Sequence, residues 1–130
     1  MKILFLCPHG AVKSVIAAAY AAQLAEERGL LVEVGNAGTE PDPAIPAKVT
    51  DLLATHGLNV SDWQPKLVSA DMLERADRVI SLGCDLEALR VPADKAHTWI
   101  VPAPSEDLIA CHDAIKTRVK QLITELTEQT

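Results

Sequence analysis

A chain of 130 residues with 48% apolar and 23% charged residues reads as one soluble globular domain over residues 1–130, long enough to bury a real core. Its net charge of −6, with no basic cluster, argues against nucleic acid or an anionic membrane as partner. Three cysteines, Cys7, Cys84 and Cys111, do not make a secreted disulfide framework and suit reduced thiols in the cytoplasm. Pro8, His9, Gly10 and Lys13 interrupt the first apolar stretch, so neither a signal peptide nor a membrane span is expected. No repeat stands out, and EPDPAIP at 40–46 is too short to divide domains.

The elements alternate. KILFL (2–6) is a short continuous apolar run, as in a strand buried on both faces. Residues 14–28 are rich in alanine and leucine and end at Gly29, as a helix does. Residues 30–37 read as a second strand. Pro46 suits the first turn of a helix in which Val49, Leu52, Leu53 and His56 recur at helical intervals and which Gly57 closes. Ser69 can cap a short helix over 70–76. Strands are expected at 78–83 and 97–101. Ser105 can cap a final helix whose Leu108, Ile115, Val119, Leu122 and Leu126 form one apolar stripe. The alternation predicts an α/β fold: a parallel sheet with order 2-1-3-4, right-handed crossovers and helices on both faces. Sites in such sheets lie beyond the carboxyl ends of the strands. Cys7, Gly38, Cys84 and Ala103-Pro104 all come directly after strands, so they converge on one edge.

The segment CPHGAVKS (7–14) joins the first strand to the first helix. A short loop there turns successive N–H groups inward and makes an anion nest, which the positive end of the helix reinforces. Gly10 can adopt the left-handed conformation such a loop needs. A cysteine in that concavity is favoured as thiolate, and Ser14 can donate to it. Cys7 is then a nucleophile aimed at a tetrahedral oxyanion held by residues 9–14: His9, Gly10, Ala11, Val12, Lys13 and Ser14. Read locally, a cysteine at a strand end is equally a small buried hydrophobe. A nucleotide-binding P-loop is set aside, because Val12 and Cys7 stand where its glycines belong.

These residues resemble the low-molecular-weight phosphotyrosine phosphatase superfamily, and more closely its arsenate reductase-like branch. The family signature is C-x5-R-S after the first strand, commonly C-V-H-N-A-G-R-S, against C-P-H-G-A-V-K-S in this chain. NAGTEP (36–41) resembles the family's S-A-G-T. QPKLVSADMLERADRVISLGC (64–84) resembles its R-x-K-x-L … A-D-x-V-x-T-M-G-C region. The segment at 99–104 resembles its W-x-x-x-D-P. The resemblance covers nearly the whole chain. It implies a phosphatase acting through a cysteinyl-phosphate, with Cys7 as nucleophile, Lys13 and the loop amides as clamp, and Ser14 stabilising the thiolate.

Three positions depart from the family pattern. Lys13 replaces an arginine, exchanging a planar bidentate fork for a point charge. Pro8 has no N–H to offer the nest. Ala103 stands where the family's general-acid aspartate does, and an alanine cannot protonate a leaving oxygen. Gly10 for asparagine is a mild exchange. Asp107 is the candidate substitute acid, with Glu106 beside it and Asp85 weaker; Glu106 and Asp107 also suit the first turn of a helix. In thioredoxin-linked arsenate reductases two further cysteines follow strand three. Cys84 matches the first and is a candidate resolving thiol, whereas Ala88 occupies the place of the second. Cys111 lies on the apolar stripe and reads as packing. His56, His97 and His112 have no metal-site spacing, and no metal or cofactor is expected.

The expectation is a phosphatase-like enzyme of low activity on a phosphate monoester. The alternatives are an arsenate reductase using Cys7 with Cys84 or an external thiol reductant, and a catalytically degenerate oxyanion-binding or interaction protein. Expected partners are phosphate, sulfate or arsenate, with no nucleic acid or membrane, on a monomer or weak homodimer.

Overall fold

The apolar run Lys2–Leu6 forms β1, and Glu33–Ala37, Arg78–Ser81 and Ala96–Thr98 form β2, β3 and β4 of one all-parallel sheet with order β2-β1-β3-β4. Helices α1 (Lys13–Glu27), α2 (Ala47–Thr55), α3 (Ala70–Arg75) and α4 (Leu108–Glu128) complete this computed structural model, which describes residues 1–129. Among the described residues no helix is long and apolar enough to cross a membrane.

Successive strand side chains point to opposite faces, and β1 divides its residues accordingly. Ile3, Phe5 and Cys7 join the larger core with α1, α2 and α4; Leu4 and Leu6 join the smaller one with Ala37, Ala76, Val79 and Leu86. The alanines of α1 let it lie close to both the sheet and α4, and Ala17, Ala18 and Ala21 are fully or almost fully buried. Ile115, Val119, Leu122 and Leu126 form the buried stripe of α4, as their spacing predicts, with Leu108 packed at its rim. Gly29 and Gly57 close α1 and α2, and the N–H groups of Leu30 and Leu58 reach back to the carbonyls of Ala25 and Leu53 at 2.9 Å.

Several boundaries differ from the sequence expectation. Strand β2 begins at Glu33 rather than residue 30, because the Leu30 N–H is consumed in closing α1; Leu31 is left 95% exposed. Strand β3 stops at Ser81 rather than 83. Ser81 Oγ accepts the Cys84 N–H and donates to the Cys84 carbonyl, both at 2.7 Å, which folds the chain into a turn. Strand β4 is Ala96–Thr98, not 97–101; its last sheet bond runs from the Trp99 N–H to Ser81 O, and Ile100 swings into solvent. Pro46 is the N-cap of α2 rather than part of its first turn. The final helix is capped by Asp107, not Ser105. Ala103 O accepts the N–H groups of Glu106 and Asp107, forming a turn that delays the helix, and the Asp107 side chain then accepts from Ala110 N at 2.9 Å. Ser69 caps α3 as expected, accepting from Met72 N.

A buried Tyr20–His112 pair joins α1 to α4 and reaches the surface at the exposed Asp113. The Asp113 carboxylate only accepts, so His112 Nδ1–H donates to Asp113 Oδ1 at 2.8 Å, and Nε2 accepts the Tyr20 hydroxyl at 2.6 Å. Burial, and then the Asp113 charge, push the Tyr20 phenol above its ordinary pKa. Tyr20→Phe would leave His112 Nε2 buried without its donor. It is expected to destabilise the protein by about 1–3 kcal/mol, read as a lower urea midpoint at unchanged slope. An unchanged midpoint would show that this bond adds nothing to the fold.

Candidate active site

The register brings Leu6, Ala37, Ser81 and Thr98 to the same level at the carboxyl ends of the strands. The loops leaving the four strands therefore meet at one edge. Cys7, only 3% exposed, continues β1 by donating its N–H to Ala37 O at 3.3 Å. The chain then turns over residues 8–12 into α1.

Two struts orient this loop. Pro8 O accepts the Glu40 N–H at 2.8 Å, and His9 O accepts the Asp42 N–H at 3.0 Å. The loop carbonyls at these positions are thus committed to the segment after β2. The amides of His9, Ala11 and Val12 donate to no protein acceptor among the described residues. Helix α1 opens with neither a side-chain cap nor an acidic residue in its first turn, so its positive end is unneutralised. Gly10 has φ +59, the left-handed conformation expected of it, but its N–H turns inward to Cys7 O at 3.2 Å. Its contribution to the loop is therefore conformational.

Ser14 is wholly buried and meets Cys7 twice. Its N–H donates to Cys7 Sγ at 3.3 Å, and its hydroxyl oxygen lies 3.1 Å from the same sulfur. His9 points the other way: its Nδ1 lies 3.2 Å from Asp42 Oδ1 and 3.3 Å from Glu40 O, in an exposed side-chain contact. Its ring braces the loop from outside.

Two glycines press on the loop. A Cβ on Gly38 would stand 2.6 Å from Gly10 N, 2.7 Å from Pro8 O and 2.8 Å from Cys7 O, so only glycine fits. A Cβ on Gly83, where φ is +116, would meet Lys13 Nζ at 3.1 Å and Pro8 Cδ at 3.2 Å. The Lys13 ammonium therefore rests against the Gly83 backbone, beside Cys84.

Cys84 is half-buried at the same edge. Burial pushes its thiol pKa up; the Thr39 hydroxyl and N–H and the Lys13 charge act in the opposite sense, while charge on Cys7 adds to the rise. The site thus contains Cys7, Lys13, Ser14 and Cys84. Cys111 is fully buried in the same core cluster as Cys7, and burial raises its pKa. Ala103 is half-buried and presents only a methyl group. Asp107, the candidate acid, has its carboxylate on the Ala110 N–H, and Asp85 accepts from Glu87 N and Ala88 N at 3.0 and 3.2 Å.

The chain is similar to known proteins in sequence and fold. The chain is 29% identical over 130 residues to a Halobacterium salinarum protein provisionally named an arsenate reductase, covering 95% of this chain and 92% of that one. It superposes on the thioredoxin-dependent arsenate reductase of Corynebacterium glutamicum with a TM-score of 0.85 and 28% identity, covering 99% of this chain and 63% of the other. A low molecular weight phosphotyrosine phosphatase from Vibrio cholerae O395 shares the fold with a TM-score of 0.86 at 19% identity, covering 99% and 98% of the two chains. The family model for low molecular weight phosphotyrosine protein phosphatase matches residues 2–130, and the chain belongs to that family.

Proposed function

We propose that Cys7 attacks the phosphorus of a phosphate monoester and carries the phosphoryl group as a cysteinyl-phosphate, which water then hydrolyses. The observation that carries this reading is the double contact of Ser14 with Cys7 Sγ at the uncapped end of α1. The Ser14 amide and hydroxyl hold the sulfur at the mouth of the loop, and the helix end favours the anion that approaches it. The amides of His9, Ala11 and Val12 would receive the equatorial oxygens, and Lys13 would supply one positive charge. Leaving groups that need a proton should depart slowly, because Ala103 has none to give. Turnover is therefore low on ordinary esters and better on acidic phenols. The reduced thiols suit a cytoplasmic setting.

A second reading, arsenate reduction, is favoured by one observation: Cys84 shares the edge with Cys7. Arsenate carries its own protons, so the oxygen displaced by Cys7 can leave as water without a protein acid. Cys84 thiolate would then attack Cys7 Sγ. The S–As bond breaks, its electron pair reduces arsenic from the pentavalent to the trivalent state, and arsenite leaves as the disulfide forms. An external thiol reductant would restore both thiols. The similarity to two proteins named as arsenate reductases supports this reading.

One alkylation series tests both. Millimolar inorganic phosphate is expected to protect Cys7 from iodoacetamide; equal labelling with and without phosphate would remove the oxyanion site. Arsenate is expected to yield a Cys7–Cys84 disulfide together with an equal amount of arsenite, and neither in Cys84→Ser. Thiols left free in the presence of arsenate would remove the second reading.

A further inference from the structure

Arg118, Leu122 and Glu125 stand four and three residues apart, so they share one stripe of α4. This stripe and the outer part of the sheet, where Ile80 of β3 is level with His97 of β4, enclose a cavity of about 190 Å³. That is smaller than the roughly 300–1,000 Å³ that holds a drug-sized ligand. Ile80, Trp99 and Leu122 make its apolar wall, and Arg78 and Arg118 both border it. These two arginines differ from their neighbours. Arg28 donates to Thr124 and Arg75 pairs with Asp71, whereas neither Arg78 nor Arg118 has a side-chain hydrogen bond or an ion pair among the described residues. The Arg118 guanidinium instead stands over the Trp99 ring, 6.0 Å from its centre. Glu125 is the one carboxylate at the cavity, and it lies seven residues, about 10 Å along the helix, from Arg118. In a chain of net charge −6, two guanidiniums and the His97 imidazole around one small cavity invert the local sign.

We propose that this cavity is a second anion site, separate from the Cys7 loop, and that it takes a small anion with an acidic group at each end: a diphosphate or a short dicarboxylate. None of Cys7, Lys13 and Ser14 borders it. Arg78 opens β3, level with Ile3, whereas Trp99, beneath Arg118, follows β4 and donates its N–H to Ser81 O. From Arg78 to Ser81 is three strand residues, about 10 Å. The two positive charges therefore come from opposite ends of the cavity. A two-headed anion meets both at once, and a single phosphate meets one. Guanidinium receives phosphate and carboxylate alike through parallel N–H···O bonds. The apolar wall suits the short linker between the two heads. Glu125 acts against the anion and weakens its binding.

The test uses the full chain labelled with ¹⁵N. It follows the indole N–H of Trp99, identified by its loss in Trp99→Phe, and the backbone amides as pyrophosphate, glutarate or inorganic phosphate is added. Saturable shifts of the Trp99 indole and of the amides of Arg78, His97 and Arg118 are expected. Pyrophosphate or glutarate should bind there at least about tenfold more tightly than inorganic phosphate, and the tighter of the two identifies the acidic group. Arg78→Met and Arg118→Met keep much of the apolar stem and should each weaken that binding by at least about tenfold. Glu125→Gln should tighten it about two- to fivefold. Shifts confined to residues 9–14, no saturation with either two-headed probe, or binding no tighter than that of phosphate would each overturn the proposal. So would Arg78→Met and Arg118→Met titrations that match the parent, or a Glu125→Gln affinity no higher than the parent's. Should Arg78→Met lose its native circular dichroism, Arg118→Met and Glu125→Gln, both on the exposed side of α4, decide by the same criteria.

Discussion

The Lys13→Arg, Ala103→Asp double variant is expected to hydrolyse an aryl phosphate at least about 10²-fold faster than the parent, the lower end of what a positioned general acid contributes. The two changes act on different atoms. Ala103→Asp places a carboxyl beside Pro104, where it can protonate the departing oxygen. The turn at this position is made by the Ala103 carbonyl, which accepts the N–H groups of Glu106 and Asp107 and survives a change of side chain. Lys13→Arg exchanges an ammonium resting on Gly83 for a planar fork able to bind two oxygens of the transferring group. Leaving groups separate the contributions. A nitrophenolate needs little protonation, so Ala103→Asp should help it less than it helps a plain phenolate; Lys13→Arg should help both alike. Cys7→Ser should be inert in every background. A double variant as inert as Cys7→Ser would leave a protein that binds oxyanions without transferring phosphoryl groups.

Gly38→Ala is expected to damage stability and site together. The added methyl would lie 2.6 Å from Gly10 N, 2.7 Å from Pro8 O and 2.8 Å from Cys7 O, and all three are backbone atoms that cannot rotate away. The segment after β2 is itself tied from outside, because Gly38 N–H donates to Lys66 O and Gly38 O accepts the Val68 N–H, each at 2.9 Å. Strain of this kind costs about 3 kcal/mol, which for a chain of this size lowers Tm by roughly 10 °C. Displacement of Cys7 by a fraction of an ångström to an ångström should also reduce Cys7-dependent turnover by about 10²-fold. Gly35→Ala is the control. It sits in β2 and its Cβ would meet only Leu4 Cδ1, at an ordinary 3.6 Å, so its Tm should stay within about 2 °C of the parent. Equal behaviour of the two variants in thermal unfolding and in turnover would show that the backbone contact at Gly38 is not what holds the loop.

Much of this was legible along the chain because it is local. The apolar run at 2–6, the alanine-rich stretch closed by Gly29 and the stripe of α4 each declare their element through spacing, and their alternation leaves few sheet topologies. Cys7 and Ser14 are seven residues apart across a single turn, so their meeting comes from strand, loop and helix in sequence. The strand ends were less legible, because they depend on who takes each hydrogen bond. Leu30 serves α1 rather than the sheet, and Ser81 turns the chain by bonding both ends of Cys84. The same holds for Asp107, which displaces Ser105 as cap once Ala103 O has claimed two amides. Lys13 beside the Gly83 backbone joins residues far apart in the chain. A lysine does not announce that contact; it comes with the packing of Gly83 on Pro8.

That packing bears on how such a site changes over evolutionary time. The loop around Cys7 is held from outside by main-chain atoms of residues 37–42 and 83, not by the side chains that would perform chemistry. Positions 13 and 103 can therefore drift without unfolding the cradle, and a lysine or an alanine costs the fold little there. The glycines have no such freedom. Two or three side chains on this frame can be exchanged while the shape of the loop around Cys7 stays the same.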